Sequence, residues 1–231
     1  MTDGGDAHDD PTIALAAAAH EIKNALGPLA MTLQLVERQV LNDRPVARED
    51  LAFARGQVRR LSALVADLMD QARVELGTLP IVPCPTDLDA LVAEAVDLFR
   101  RAHPDANVTV AGDGAPLLAA VDAARMHQVL ANLLENAARY APAGSPIAVS
   151  VGRAGLGVAR IEVRDRGPGL SADEQSRVFE RFVRGVASEG TSGLGLGLYL
   201  CRAIVERHGG RIGCASAPGA GATFWMEIQA P

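Results

Sequence analysis

The stretch LAAAAHEIKNALGPLAMTLQLVERQV, residues 15–40, decides how the first part of the chain folds. Leu15, Ala19, Ile22, Leu26, Leu29, Leu33, Val36 and Val40 recur at alternating four- and three-residue steps, a heptad seam sustained for more than three repeats. This spacing predicts one long helix. Turn formers at Asn42-Asp43-Arg44-Pro45 break the pattern. A second seam then follows at the same spacing: Leu51, Ala54, Val58, Leu61, Val65, Leu68 and Ala72. A short connection between two such helices makes an antiparallel hairpin. Two apolar stripes offer little core on their own, so the pattern predicts that two chains pair into a four-helix bundle. On the first seam Ala19 and Ile22 face the core, which turns His20 towards the outside.

Working outward, the first ten residues, MTDGGDAHDD, hold four Asp and two Gly and read as a flexible acidic tail, 1–10. The helical module occupies 11–79. Pro80, Pro83 and Pro85 rule out continuous helix after Gly77, so 80–86 reads as a linker. Over 87–231 the pattern alternates between helical and strand periods. Helices are expected at Leu88–Arg101, Ala124–Tyr140, Ala172–Val183 and Leu196–His208. Strands are expected at Val108–Val110, Ile147–Val151, Arg160–Arg164, Arg211–Ala215 and Thr223–Ile228. That is a sheet covered by helices, an α/β sandwich, and the chain as a whole is α+β.

Composition narrows the function. Hydrophobic residues make up 48% of the 231 and charged residues 22%, which suits a folded chain. Aromatics are only 3%, so the cores must be built from Ala, Leu, Val and Ile. Lys plus Arg total 22 against 28 Asp plus Glu, a net charge of -6 that leaves no footprint for a polyanion and argues against nucleic acid as a partner. Cys84, Cys201 and Cys214 have neither disulfide-framework nor metal-ligand spacing. With no apolar run near the roughly 20 residues of a membrane span and an acidic start unlike a signal peptide, the expected location is the cytoplasm, with no membrane segment in this chain.

Three short patterns carry chemistry. Gly193-Leu194-Gly195-Leu196-Gly197 opens a helix, where bare backbone N–H groups at the positive end of the dipole suit a phosphate. The same glycines also suit a plain turn. An ordinary P-loop is excluded, because Leu198 and Tyr199 follow Gly197 where Lys and Ser or Thr are required. Asp165-Arg166-Gly167-Pro168-Gly169 follows a strand, so its carboxylate can accept from a purine amino group beside backbone that admits a ring. Asn132-Leu133-Leu134-Glu135-Asn136 puts two amides on one helix face, and amide oxygens suit Mg²⁺ shared with phosphates.

These patterns, in this order, resemble the sensor histidine kinases of two-component systems. Asn132 to Asn136 resembles the N box, Asp165 to Gly169 the first glycine box, Phe179 to Phe182 the F box and Gly193 to Gly197 the second glycine box. His20-Glu21-Ile22-Lys23-Asn24 resembles the H box. The resemblance spans about Pro11 to Ile228. It implies a dimerisation and phosphoacceptor hairpin, followed by a Bergerat-type ATP-binding domain, with ATP and Mg²⁺ as cofactors. It implies His20 as phosphoacceptor and Glu21 as general base, with Asn24 placed to orient water for removing phosphate from a regulator. Asn136 would chelate Mg²⁺, Asn132 would support metal and phosphates, and Arg139 and Tyr140 would touch the phosphates. Asp165 would hold the adenine amino group, with Gly167 and Gly169 shaping its turn. Gly193, Gly195 and Gly197 would cradle phosphate, Arg184 would reach the γ-phosphate, and Val183 to Ser192 would form the lid over the nucleotide. The implied partners are a second copy of the chain and the receiver domain of a response regulator, with sensory input from outside this chain.

The family often has proline directly after the H-box asparagine, but here Ala25 follows Asn24 and proline comes at Pro28. A proline at that place is expected to disturb the helix at Asn24. Two other readings remain: an ATPase of the same nucleotide-binding superfamily, and a non-catalytic dimeric scaffold. Related ATPases such as gyrase activate water with a glutamate four residues before the metal asparagine, and that position is Asn132 here.

Overall fold

The computed structural model describes residues 11–112, 114, 116–183 and 194–230, with backbone alone at 11–18, 20 and 21. The predicted tail 1–10 lies outside them. Helices α1 (Pro11–Leu41) and α2 (Arg48–Glu75) form the hairpin. Asn42, whose Nδ2 donates to the Arg38 carbonyl at 2.6 Å, and Asp43, with φ of 52°, end α1. Pro28 lies inside α1, which runs unbroken through Asn24, so the expected disturbance there does not interrupt the helix. Each seam is divided between two faces. Ile22, Leu29 and Val36 are half-buried against α2, whereas Leu26, Leu33 and Val40 are exposed. On α2, Ala54 is buried and Leu61 and Leu68 half-buried, whereas Leu51, Val58 and Val65 are exposed.

The second part is built from α3 (Leu88–Ala102), α4 (Ala123–Tyr140), α5 (Ala172–Arg177) and α6 (Gly197–Arg207) with seven strands. Five strands form the main sheet in the order β2 (Val108–Gly112), β4 (Ile147–Gly155), β5 (Val158–Arg164), β7 (Ala222–Gln229), β6 (Arg211–Ser216). β2 and β4 run parallel and the other neighbours antiparallel. Alternate residues such as Val149, Val151, Ile161, Val163, Phe224 and Met226 point into one core, where they meet the apolar faces of α3, α4 and α6. The predicted helix from Ala172 to Val183 stops at Arg177, because the chain must turn to give Phe182 a φ of 58° and let its N–H donate to the Gly195 carbonyl at 3.2 Å. Two strands escaped the periodicity: β1 (Cys84–Asp87), inside the proline-rich segment read as a linker, and β3 (Leu118–Val121), its antiparallel partner. No described helix is long and apolar enough to cross a membrane.

Asp122 ties these parts together. As N-cap of α4 it accepts from the Arg125 N–H at 3.2 Å, and its second oxygen accepts from the Val82 N–H at 3.0 Å. Burial opposes its charge, but these backbone donors and the nearby Arg125 guanidinium hold its carboxyl below the usual range. Its own N–H donates to His208 Nε2 at 2.9 Å, which puts the ring proton on Nδ1, where it meets the Ile204 carbonyl at 2.8 Å. Asp122→Ala is expected to cost about 1–2 kcal/mol, read as a lowered midpoint in urea. Because the native carboxyl is depressed, this contribution is present above its unfolded pKa and fades as pH falls through the native one, so wild type and variant should converge in acid.

Candidate functional site

A cavity of about 630 Å³ lies between α4, the turn after β5, the start of α6 and α2. Helix α4 buries Met126, Val129, Leu130, Leu133, Leu134 and Ala137, which leaves Asn132, Asn136, Arg139 and Tyr140 on its other side to line the cavity. Asn132 Oδ1 would lie 3.1 Å from a Cβ built on Gly197, so backbone at the start of α6 comes close to the amide pair only because no side chain intervenes.

At the other end Asp165 is 6% exposed and still lines the cavity. Its Oδ1 accepts from the Gly167 N–H at 2.7 Å and the Ala222 N–H at 3.2 Å. Burial pushes its carboxyl above the usual value, against these two donors. Gly169, at φ of 73°, turns so tightly that a Cβ there would sit 2.0 Å from the Ala217 carbonyl oxygen. Phe179 packs edge-on against Phe224, ring centroids 6.2 Å apart, which fixes the floor beside Asp165.

The structure therefore brings Asn132, Asn136, Arg139, Tyr140, Asp165, Gly169, Gly195 and Gly197 to one cavity, with Gly167 behind Asp165. Val183 also lines it. Arg184 and the rest of the expected lid as far as Ser192, together with Gly193 of the second glycine box, lie outside the described residues, as do the side chains of His20 and Glu21. Asn24 is on α1 with its side chain exposed.

One wall was not foreseen. Arg59, Arg60, Ala63, Leu64 and Asp67 of α2 line the same cavity. Leu64 packs with Leu194, Leu196 and Leu200, the residues around Gly195 and Gly197. Asp70, 6% exposed, accepts from Arg125 Nη1 at 2.5 Å, Gln128 Nε2 at 3.1 Å and Arg73 Nη1 at 3.2 Å. Burial disfavours its charge, but these donors win and hold the carboxyl below the usual range. Half-buried Asp67 is pushed up to about 6, by desolvation first and by the neighbouring Asp70 charge second. Nothing in the periodicity of α2 sets these residues apart from other polar helix positions.

Among the described residues no group of three or more His, Cys, Asp and Glu side chains could hold a metal. The donor set fits a cation shared with phosphates: the amides of Asn136 and Asn132 stand beside the bare backbone of Gly195 and Gly197 in a cavity large enough for a nucleotide.

The comparisons agree with this geometry. Residues 121–231 match the family described as Histidine kinase-, DNA gyrase B-, and HSP90-like ATPase, and residues 13–77 match the His Kinase A (phospho-acceptor) domain. The chain belongs to the sensor histidine kinases. This histidine kinase chain is 32% identical over 219 residues to the sensor-like histidine kinase SenX3 of Mycobacterium tuberculosis (strain ATCC 25618 / H37Rv), covering 94% of this chain and 53% of that protein. It spans about half the length of the curated relatives it matches. Among solved structures, the mycobacterial sensor histidine kinase MprB superposes with a TM-score of 0.57 at 27% identity, covering 64% of this chain and 98% of that one. The fold is also that of histidine kinase ThkA, solved in complex with response regulator protein TrrA, with a TM-score of 0.65, 22% identity and coverage of 94% and 61%.

Proposed function

We propose that this histidine kinase binds ATP in the cavity, phosphorylates His20 and passes the phosphoryl group to an aspartate on the receiver domain of a response regulator. The single observation that carries the reading is the convergence of Asp165, the Asn132/Asn136 pair and the glycine-flanked start of α6 on one cavity in a chain that also bears a phosphoacceptor hairpin.

In this reading the second carboxylate oxygen of Asp165 accepts from the adenine amino group while Oδ1 stays with its two backbone donors. Gly195 and Gly197 bring backbone N–H groups to the phosphates at the start of α6. Asn136, supported by Asn132, holds Mg²⁺, which neutralises phosphate charge when bound. Arg139 and Tyr140 border the same end, and Arg184 approaches the γ-phosphate. One ring nitrogen of His20 attacks the γ-phosphorus, the bond to the β-phosphate oxygen breaks, ADP leaves, and Glu21 takes the proton from the other ring nitrogen. Asn132 stands where water-activating relatives carry a glutamate, which favours transfer over hydrolysis.

The two-faced seams support a homodimer. Leu26, Leu33 and Val40 on α1 and Leu51, Val58 and Val65 on α2 stay exposed in one chain, the rows a second hairpin would cover. ThkA's complex with a response regulator supports a receiver-domain partner. Incubation with γ-labelled ATP tests the reading. Asn136→Ala should lose Mg²⁺-dependent labelling by about 10²-fold or more while nucleotide affinity changes far less. Equal labelling in the two proteins would count against the metal role.

The chain also acts as its regulator's phosphatase in this reading. Asn24 lies one turn after His20 with an exposed side chain, where its amide can orient water against a docked aspartyl phosphate. Asn24→Ala should lose regulator dephosphorylation and keep labelling of His20. Equal decay of the phosphorylated regulator with wild type and Asn24→Ala, at matched concentration, would make Asn24 structural.

A further inference from the structure

The hairpin does more in this fold than present a histidine. Arg60, Ala63, Leu64 and Asp67 are spaced i, i+3, i+4 and i+7, so they form one face of α2, and all four line the cavity together with the exposed Arg59. Two sets of contacts fix that face. Asp70, one turn beyond Asp67, is clamped by Arg125 and Gln128 of α4, and Arg181 pairs with Glu75 at 2.5 Å. Leu64 packs on Leu194, Leu196 and Leu200. These leucines flank Gly195 and Gly197, so the α2 wall stands at the α6 end of the cavity, where the phosphates belong in the proposed function, rather than at the end formed by Asp165, Ala222 and Phe224. Arg60 is one turn from Leu64 on the same face. The wall carries two guanidinium groups against the single carboxylate of Asp67.

We propose that Arg60, assisted by Arg59, is a phosphate-binding residue that the hairpin contributes to the nucleotide site. The triphosphate is then held between the two domains, and the Asp70–Arg125–Gln128 cluster keeps the contributing helix in register. A planar guanidinium suits this task, since it donates two parallel hydrogen bonds to phosphate oxygens and stays charged at any working pH. Nucleotide binding and docking of the hairpin are thereby coupled: each favours the other by the same free energy.

The inference rests on reading the cavity as a nucleotide site, and binding measurements separate the two. Calorimetry on the full chain with Mg²⁺ and AMPPNP, beside adenosine by competition, should show that Arg60→Ala weakens AMPPNP about tenfold and adenosine less than about twofold. Arg125→Ala leaves Arg60 in place but releases the helix that carries it, and should weaken AMPPNP without changing adenosine. Wild-type AMPPNP affinity in either variant, or parallel loss of both ligands in Arg60→Ala, would overturn the proposal. Asp165→Ala serves as the reference: if it retains adenosine, the nucleotide reading itself has failed, whatever Arg60 does.

Discussion

His20→Gln is expected to reduce phosphoryl labelling from γ-labelled ATP to background, while the chain still folds and still binds nucleotide. The glutamine amide keeps a polar side chain of similar length at this position of α1, but its nitrogen has no lone pair free to attack phosphorus. The label on wild type should be acid-labile and base-stable, as a phosphorus–nitrogen bond is, unlike a serine or threonine ester. Glu21→Gln should be slower by about 10²–10⁴-fold rather than silent, since it removes a proton acceptor and leaves the nucleophile in place. Acid-labile label that persists undiminished in His20→Gln would sink the assignment of the acceptor. The scaffold alternative predicts no label on either protein, and the ATPase alternative predicts phosphate release that His20→Gln leaves unchanged.

How much of this was legible in the sequence depends on how local the determinants are. The hairpin was legible because its apolar period repeats within single helices. Yet the split of each seam into a half-buried and an exposed row is set by how closely α1 and α2 approach, which no periodicity reports. Strand β3 escapes the pattern because Leu118-Ala119-Ala120-Val121 is apolar throughout, so its alternating burial leaves no alternation of polarity, and β1 begins with Cys84-Pro85 in a segment whose prolines read as a break. Proline is tolerated there because β1 pairs with only one neighbour and is an edge on its other side. Helix α5 was drawn too long because the residues after Arg177 stay apolar at helical spacing, whereas the turn at Phe182 depends on its bond to the distant Gly195. That glycines, amides and an aspartate would share one cavity was legible because they stand in short motifs. The α2 wall was not, since Arg60 and Asp67 acquire meaning only when α2 docks, and that docking is decided by Asp70 meeting Arg125, 55 residues away.

That distinction between motif and environment matters most at Asp165. Asp165→Ala is expected to weaken nucleotide binding by roughly 1–3 kcal/mol, about 5- to 150-fold, because a buried acceptor for the purine amino group disappears. Read from the motif alone, this change should leave the fold untouched. The structure adds a second consequence, for Oδ1 also accepts from the Gly167 and Ala222 N–H groups, and alanine leaves both buried donors unpaired. A stability loss of about 1–3 kcal/mol should accompany the loss of affinity, seen as a lowered melting temperature without nucleotide. Asp165→Asn separates the two. Its carbonyl oxygen can keep the backbone pair, so most of the stability should return, but its NH₂ then meets the adenine NH₂, donor against donor, and affinity should stay low. Calorimetry at a temperature well below both melting transitions decides between site and scaffold. Wild-type affinity in Asp165→Asn would remove adenine from this end of the cavity, and full recovery of binding together with stability would make Asp165 a residue of the turn alone.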